Sequence, residues 1–399
     1  MECSDVSGVA GEQLSSTLRI YQICYDEMKI NILLITTVSN IGGTENMLLS
    51  FLSNFDRNKF NVIVASLFGA NQLGNEVEKK NVQFVNLCLN RFWSFPSRLR
   101  KIIKQNSINL VQTFGLTAEI AINPLAKYFG AKKLVASIRS AHDDRKWYHH
   151  ILSRFANRNV DLWISNSMAG KNTTIKNLKI KPQKIKIIWN GLDISKYGDN
   201  YSEKVDQLKR ELKLENKFVI LTVANLRPEK RHCDILAAID LIDEQVQENL
   251  IFIFLGRDGL SGKIQSEINK NGLSENIIVT GFQNEVAPYY IISDLFLLTS
   301  DREGLPVSIM EAMYFGKSII ATNVGGVSEL IDHVKEGLLI EPRNPEQIAE
   351  NILHLFNNEH LRVELGRKAK ERVLKEFKLE RMVTEIEQTF LNLLSDKNF

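Results

Sequence analysis

The chain has 399 residues, 44% hydrophobic and 24% charged, with a formal net charge of only +3. That is long enough for two domains with full cores, and the balance excludes a disordered or fibrous chain. Cys3, Cys24, Cys88 and Cys233 are scattered without a C-x-x-C, which suits reduced thiols rather than a zinc site or disulfide framework.

Residues 1–28 show no clear period and carry no apolar core of a signal peptide. Met28 would itself serve as an initiator, so 1–28 is expected to be an extension outside the fold. From there short apolar runs alternate with helical stretches: NILLIT, FNVIVASLF, NVQFVNL, INLVQTFG, KLVASIR, VDLWISNS and IKIIWNG. Such runs read as strands buried on both faces, and strand–helix alternation implies a parallel sheet. A polar stretch, 195–216, reads as a hinge. A second series follows: KFVILTVANL, LIFIFLG, NIIVTGF, DLFLLTS, KSIIATNV and GLLIEP. A long helical tail is expected from Pro345 to Lys397.

The expected class is therefore α/β, with two doubly wound, Rossmann-like domains facing across a cleft. The boundaries are 29–200 and 210–380, with a last helix, 381–399, that could cross back to the first domain. No apolar run approaches the roughly 18 residues of a spanning helix, and the scattered cysteines suit a cytoplasmic location. Charge divides unevenly: −4 over 1–28, +15 over 29–205 and −8 over 206–399. A basic half joined to an acidic half suits an anionic partner of the basic half.

Ligands of such sheets sit beyond the carboxyl ends of the strands, and each notable motif falls there. DREGLPVSIMEAMYFG, 301–316, follows the run DLFLLTS. Glu303 belongs to the loop. Pro306 suits a helix start, Glu311 lies on that helix and Gly316 ends it. Gly304 lets backbone approach a ligand, loop amides and the helix start suit phosphate, and ionised carboxylates accept from sugar hydroxyls. Read alone, the pair is equally two surface glutamates beside a helix cap. ANLRPEKRHCDIL places Arg227 and Lys230 at another strand end, where a forked and a mobile cation could neutralise a diphosphate. SNIGGTENML offers Gly42-Gly43 before a helix but is not G-x-G-x-x-G. IRSAHDD supplies Arg139 and His142, WNGLD supplies Asn190, and GRDG supplies Gly256. There is no D-x-D, no Walker A sequence, no metal-ligand spacing and no G-x-S-x-G.

Together these residues resemble the retaining glycosyltransferases of GT-B fold, glycosyltransferase family four, from Met28 to near the end. The E-x7-E pair of that family matches Glu303 and Glu311. Gly281-Phe282, Val324-Gly325-Gly326 and Glu329 fit as well. Arg227 and Lys230 match its diphosphate-holding pair, and Gly42-Gly43 with Glu45 its first glycine turn. The resemblance implies a hexose transferred from a UDP- or GDP-sugar without metal or other cofactor, in cell-surface polysaccharide biosynthesis. Glu311 would hold the ribose; Glu303 and the Gly304, Leu305 and Pro306 backbone the sugar. Gly43, Asn190, Gly256, Gly281 and Phe282 would border the donor, with Arg139 and His142 on the acceptor side. Two departures stand out. Arg139 occupies the place where members often carry histidine, and Arg231 replaces the usual glycine, either touching phosphate or facing water. The expected partners are a nucleotide sugar, a glycan or lipid-linked acceptor and an anionic membrane at the inner face of the plasma membrane, with no nucleic acid. RFWSFPSRLRKIIK, 91–104, is the candidate membrane contact. The alternatives are a sugar-nucleotide 2-epimerase and a non-catalytic binding module.

Overall fold

The computed structural model describes residues 29–395 apart from 39–40, 70–71, 92, 140–146 and 199. His142 and the 1–28 extension lie outside the described residues. The first sheet comprises β1 (Ile30–Val38), β2 (Phe60–Phe68), β3 (Gln83–Asn86), β4 (Leu110–Phe114), β5 (Lys133–Ile138), β6 (Leu162–Ser165) and β7 (Ile185–Ile187). Its order is β3-β2-β1-β4-β5-β6-β7, and every pairing is parallel. The second comprises β8 (Phe218–Val223), β9 (Leu250–Leu255), β10 (Ile277–Gly281), β11 (Leu295–Leu298), β12 (Ser318–Thr322) and β13 (Leu338–Ile340). It runs β10-β9-β8-β11-β12-β13, again all parallel. Strand order reverses between β1 and β4 and between β8 and β11, and a crevice opens beyond the carboxyl ends at such points.

Both faces of each sheet are covered. In the first half, α1 (Gly43–Asn54) and α2 (Gln72–Glu78) share one core, and α3 (Phe95–Gln105) and α4 (Leu116–Ala126) share the other. Helices α5 (Trp147–Ala156) and α6 (Met168–Leu178) flank the sheet's far edge. Helix α7 (Ser202–Glu211) lies in the linker. The second half holds α8 (His232–Ile239), α9 (Glu244–Gln247), α10 (Lys263–Lys270), α11 (Ala287–Ile292), α12 (Val307–Tyr314) and α13 (Val327–Leu330). The central strands pack from both sides, which is why their sequences read as unbroken apolar runs: Ile32–Ile35 and Leu295–Leu298 are all buried.

The tail is not one helix. It divides into α14 (Pro345–Phe356), α15 (Glu359–Glu376) and α16 (Leu379–Leu394). The first break is made by Asn358, whose side chain caps α15 by accepting from the Leu361 amide. The second lies at Phe377-Lys378, where the chain returns to the first half. There the Leu192 amide donates to the Phe377 carbonyl at 2.8 Å. Gly191 is required at this crossing, since a Cβ would fall 2.6 Å from the Leu379 Cα. Helix α16 then completes the first half's core with Leu379, Met382, Val383, Ile386, Phe390 and Leu393. Their spacing is one helical face, and burial of each large side chain contributes about 1.5–3 kcal/mol.

The 91–104 stretch turns its aliphatic residues inward. Phe95, Leu99 and Ile103 of α3 are buried in the core, which leaves the helix a basic outer face and the exposed Trp93. Among the described residues no helix is long and apolar enough to cross a membrane.

Candidate active site

The two sheets meet across the crevice, and β8 and β11 bring their carboxyl ends side by side. The turn after β8 carries Arg227 and Lys230; the loop after β11 carries Glu303. Lys230 Nζ lies 2.6 Å from Glu303 Oε1, and the Ser300 hydroxyl donates to the same oxygen at 2.7 Å. Nothing among the described residues bonds to Glu303 Oε2, so it is available to a ligand hydroxyl. Arg227 is exposed and has no ion-pair partner among the described residues. The loop thus presents one anchored carboxylate, one partnered ammonium and one uncommitted guanidinium.

Glu311 sits one turn inside α12 and is buried. Its Oε1 accepts from Lys196 Nζ and the Tyr197 hydroxyl, both at 2.9 Å, and its Oε2 from the Tyr290 hydroxyl at 3.0 Å. Burial, reinforced by the Glu311 charge, holds both tyrosines in their neutral, donating form. Three donors leave the carboxylate acceptor capacity for one more hydroxyl.

Across the crevice, Arg139 ends β5. One Nη donates to Asn190 Oδ1 at 2.9 Å, the other approaches Met47 Sδ at 3.4 Å, and the guanidinium lies 5.5 Å from the Phe114 ring centre. Its Nε is shielded from solvent and has no partner among the described residues. Burial pushes the guanidinium down to about 10, partly offset by the charge of Glu45. Glu45 itself is held by Thr36 Oγ1 at 2.9 Å and the Gly42 amide at 3.1 Å, at the start of α1. Asn190 also donates to the Leu305 carbonyl at 2.9 Å, so its amide links Arg139 of the first half to the backbone of the second.

Three contacts fix how closely the halves approach. A Cβ on Gly304 would fall 2.3 Å from the Arg139 carbonyl, and one on Gly326 would fall 2.9 Å from the Ser167 Cβ. Glycine is required at both by this close approach. The third contact is Glu329, which accepts from the Met168 amide at 2.9 Å, the Ala169 amide at 3.1 Å and Trp189 Nε1 at 2.8 Å. It places a carboxylate from the second half on the amino end of α6 in the first, where the helix dipole favours it.

The other expected donor residues fall around the same crevice in differing roles. Gly43 is exposed at the first position of α1. Gly256 permits close strand packing, since a Cβ there would meet the Ala224 carbonyl at 2.1 Å. Gly281 ends β10 with φ +71, and Phe282 next to it is exposed under the Arg257 guanidinium, 4.4 Å away. Leu305 is buried, and Pro306 precedes α12 as its cap. Arg231 is tied to its own turn. It adopts φ +54, the left-handed region that favours glycine, and pairs with Asp234 through Nε at 3.0 Å and Nη at 2.6 Å. Beside it His232 is buried with neither ring nitrogen partnered, and burial together with Lys230 pushes it down to about 4. Among the described residues no cluster of His, Cys, Asp or Glu could hold a metal ion.

Two family models account for most of the chain. "Glycosyl transferases group 1" matches residues 204–372, which contain the Lys230–Glu303–Glu311 constellation, and "Glycosyltransferase Family 4" matches 41–196. The chain belongs to glycosyltransferase family 4. The family 4 enzyme is similar to N-acetyl-alpha-D-glucosaminyl L-malate synthase of Bacillus anthracis, 29% identical over 54% of this chain and 56% of that protein. It is also similar to the capsular polysaccharide biosynthesis glycosyltransferase CapH of Staphylococcus aureus, 24% identical over 82% of this chain and 91% of the relative. A third relative is UDP-Gal:alpha-D-GlcNAc-diphosphoundecaprenol alpha-1,3-galactosyltransferase of Escherichia coli, 23% identical over 75% and 79%. The crystal structure of Anabaena HepE in complex with UDP-glucose superposes with a TM-score of 0.80 at 21% identity, covering 91% of this chain and all of that one. The fold is GT-B, and the relatives include glycosyltransferases of cell-surface polysaccharides.

Sequence reasoning about this glycosyltransferase missed the partners that hold its glutamates. Lys196 and Tyr197 read as part of a polar linker, although a tyrosine in such a stretch was a usable sign. Tyr290 read only as apolar filling. Ser300 was quoted as the end of a strand rather than as a donor to Glu303.

Proposed function

We propose that the enzyme transfers a hexose from a UDP-sugar to a lipid-linked or polysaccharide acceptor, with retention at the anomeric carbon and without metal. The observation that carries this reading is the Lys230–Glu303 pair, 2.6 Å apart at adjoining strand ends, with Arg227 uncommitted beside it. Lys230 and Arg227 stabilise the diphosphate as its bond to the sugar breaks, a charge that develops during the reaction. Glu303 Oε2 accepts from a hydroxyl of the transferred sugar and Glu311 from the ribose. The acceptor hydroxyl attacks from the face the diphosphate leaves, and its proton passes to a departing phosphate oxygen. The contacts at Gly304, Asn190 and Glu329 exclude water and limit donor hydrolysis. UDP is favoured because HepE was solved with UDP-glucose and the Escherichia coli relative is named for UDP-Gal. The diphosphoundecaprenol in the same name favours a lipid-linked acceptor.

The test is a thermal-shift panel of UDP, GDP, ADP, CMP and their common sugars, with and without EDTA, on wild type and Glu311→Ala. A ligand at 100 times Kd adds about 2.7 kcal/mol to the native state. Stabilisation of wild type by uridine nucleotides alone, unchanged by EDTA and lost in the variant, is expected. No shift with any nucleotide sinks the reading.

A further inference from the structure

Helix α5 is built inside out. Its 10 residues, WYHHILSRFA, place Tyr148, Ile151, Leu152 and Phe155 at i, i+3, i+4 and i+7. A stripe of that spacing normally faces the core. Here the four are 39%, 56%, 48% and 66% exposed, while Ser153 and Ala156 of α5 and the following Asn157 are buried. The inward choice is made by a buried polar relay. Thr113 Oγ1 donates to Asn123 Oδ1 at 3.1 Å, Asn123 Nδ2 to Asn157 Oδ1 at 2.6 Å, and Asn157 Nδ2 to Glu119 Oε2 at 3.2 Å. Breaking that relay would bury unpaired amides at a cost of full desolvation, so the apolar stripe is turned out.

A second feature adjoins the stripe. At the carboxyl end of α5 a cavity of about 320 Å³ has an apolar floor of Val160, Trp163 and Leu178 and a rim of Arg154, Arg158, Lys181 and Lys184. Among the described residues no acidic side chain lines it. Four cations around an apolar floor match one end of an anionic amphiphile: phosphate at the rim, chain on the floor. The apolar stripe beside it matches the adjoining hydrocarbon. The other end of α5 follows β5, whose end holds Arg139 at the crevice.

We propose that α5 and its basic cavity seat the enzyme on an anionic phospholipid surface, with the stripe in the interface and the rim on headgroup phosphates. This rests on the reading of a lipid-linked acceptor, and it assigns the membrane contact to 148–158 and 181–184 rather than to 91–104. An amphipathic face with a cationic border binds an interface by apolar burial plus attraction to anionic lipid.

The experiment is flotation of the full chain with phosphatidylglycerol/phosphatidylcholine vesicles and with pure phosphatidylcholine vesicles. It compares wild type, Ile151→Ser/Phe155→Ser and Arg158→Glu/Lys181→Glu. Wild type should float with anionic vesicles. The apolar variant should bind at least roughly tenfold more weakly, and the charge variant should lose the preference for anionic over neutral vesicles. Both should keep the wild-type unfolding midpoint and nucleotide response, which test the donor site separately. Failure of wild type to float, or equal flotation of all three proteins, overturns the proposal. So does light scattering that shows a dimer dissociated by Ile151→Ser/Phe155→Ser, because the stripe would then belong to a second copy.

Discussion

The two banks of the crevice are built differently. On the second half's bank, charge is answered by charge and hydroxyl within one neighbourhood: Lys230 and Ser300 on Glu303, and Lys196, Tyr197 and Tyr290 on Glu311. On the first half's bank Arg139 lies on Met47 and Phe114, and among the described residues its Nε has no partner. A donor diphosphate presents the same atoms whatever sugar it carries, so a fixed set of groups serves it, and such preorganisation is what electrostatic catalysis requires. Around Arg139 the described neighbours are Met47, Phe114 and Asn190, a largely apolar surround.

The largest test of this contrast compares the cations. Lys230→Ala should lower turnover by about 10²–10³-fold, since it removes a donor aimed at developing charge. Arg139→Ala should cost about tenfold, seen mainly in the acceptor dependence. Equal losses in single-turnover assays would erase the difference between the banks. Next, calorimetry with the stabilising nucleotide should show Glu311→Ala weakening binding about tenfold or more while Arg139→Ala leaves it nearly unchanged. Smaller still is Glu329→Ala, which leaves two helix amides and the Trp189 indole without their acceptor. A loss of about 1–2 kcal/mol in denaturant unfolding is expected.

The narrowest effect, confined to acid pH, is a slope belonging to the second half. His232 is held down to about 4 from its usual 6.5, so it stays neutral in the folded state while the unfolded chain takes up the proton first. Stability from this residue is full above about pH 6.5 and is lost as pH falls toward 4. His232→Leu should flatten the fall of the unfolding midpoint across that window. An unchanged slope would place the acid sensitivity elsewhere.

Much of the architecture was legible because strands buried on both faces write themselves as short Val/Ile/Leu/Phe runs. Glu303, Arg227 and Lys230 drew notice because each stands just past the end of such a run, and Glu311 because it lies on the helix that follows. What the pattern could not say is which face of a helix turns inward. Stretches 95–105 and 147–156 both carry apolar residues at helical spacing with basic neighbours. One buries its stripe, and the other exposes it, because Asn157 must meet Asn123 and Glu119 across a gap of more than 30 residues. The same limit hid Lys196 and Tyr197, which reach Glu311 from more than 110 residues upstream. The tail was read as one helix because its apolar positions continue, and only the Asn358 cap and the turn at Phe377 interrupt it. At Arg231 the local sequence could not reveal the left-handed backbone that makes glycine usual there.

The return of the chain at Leu192 and Phe377 also bears on how the molecule is made. The first half's core includes Leu379, Met382, Ile386 and Phe390, the face of its last helix. During synthesis, domains generally fold amino-terminal first. Here the first half emerges with one face of its sheet covered only by α1 and α2 and must wait through the entire second half before α16 completes that core. A nascent chain stalled before residue 379 would therefore expose this surface to chaperones, and the second half would complete its own core before the first.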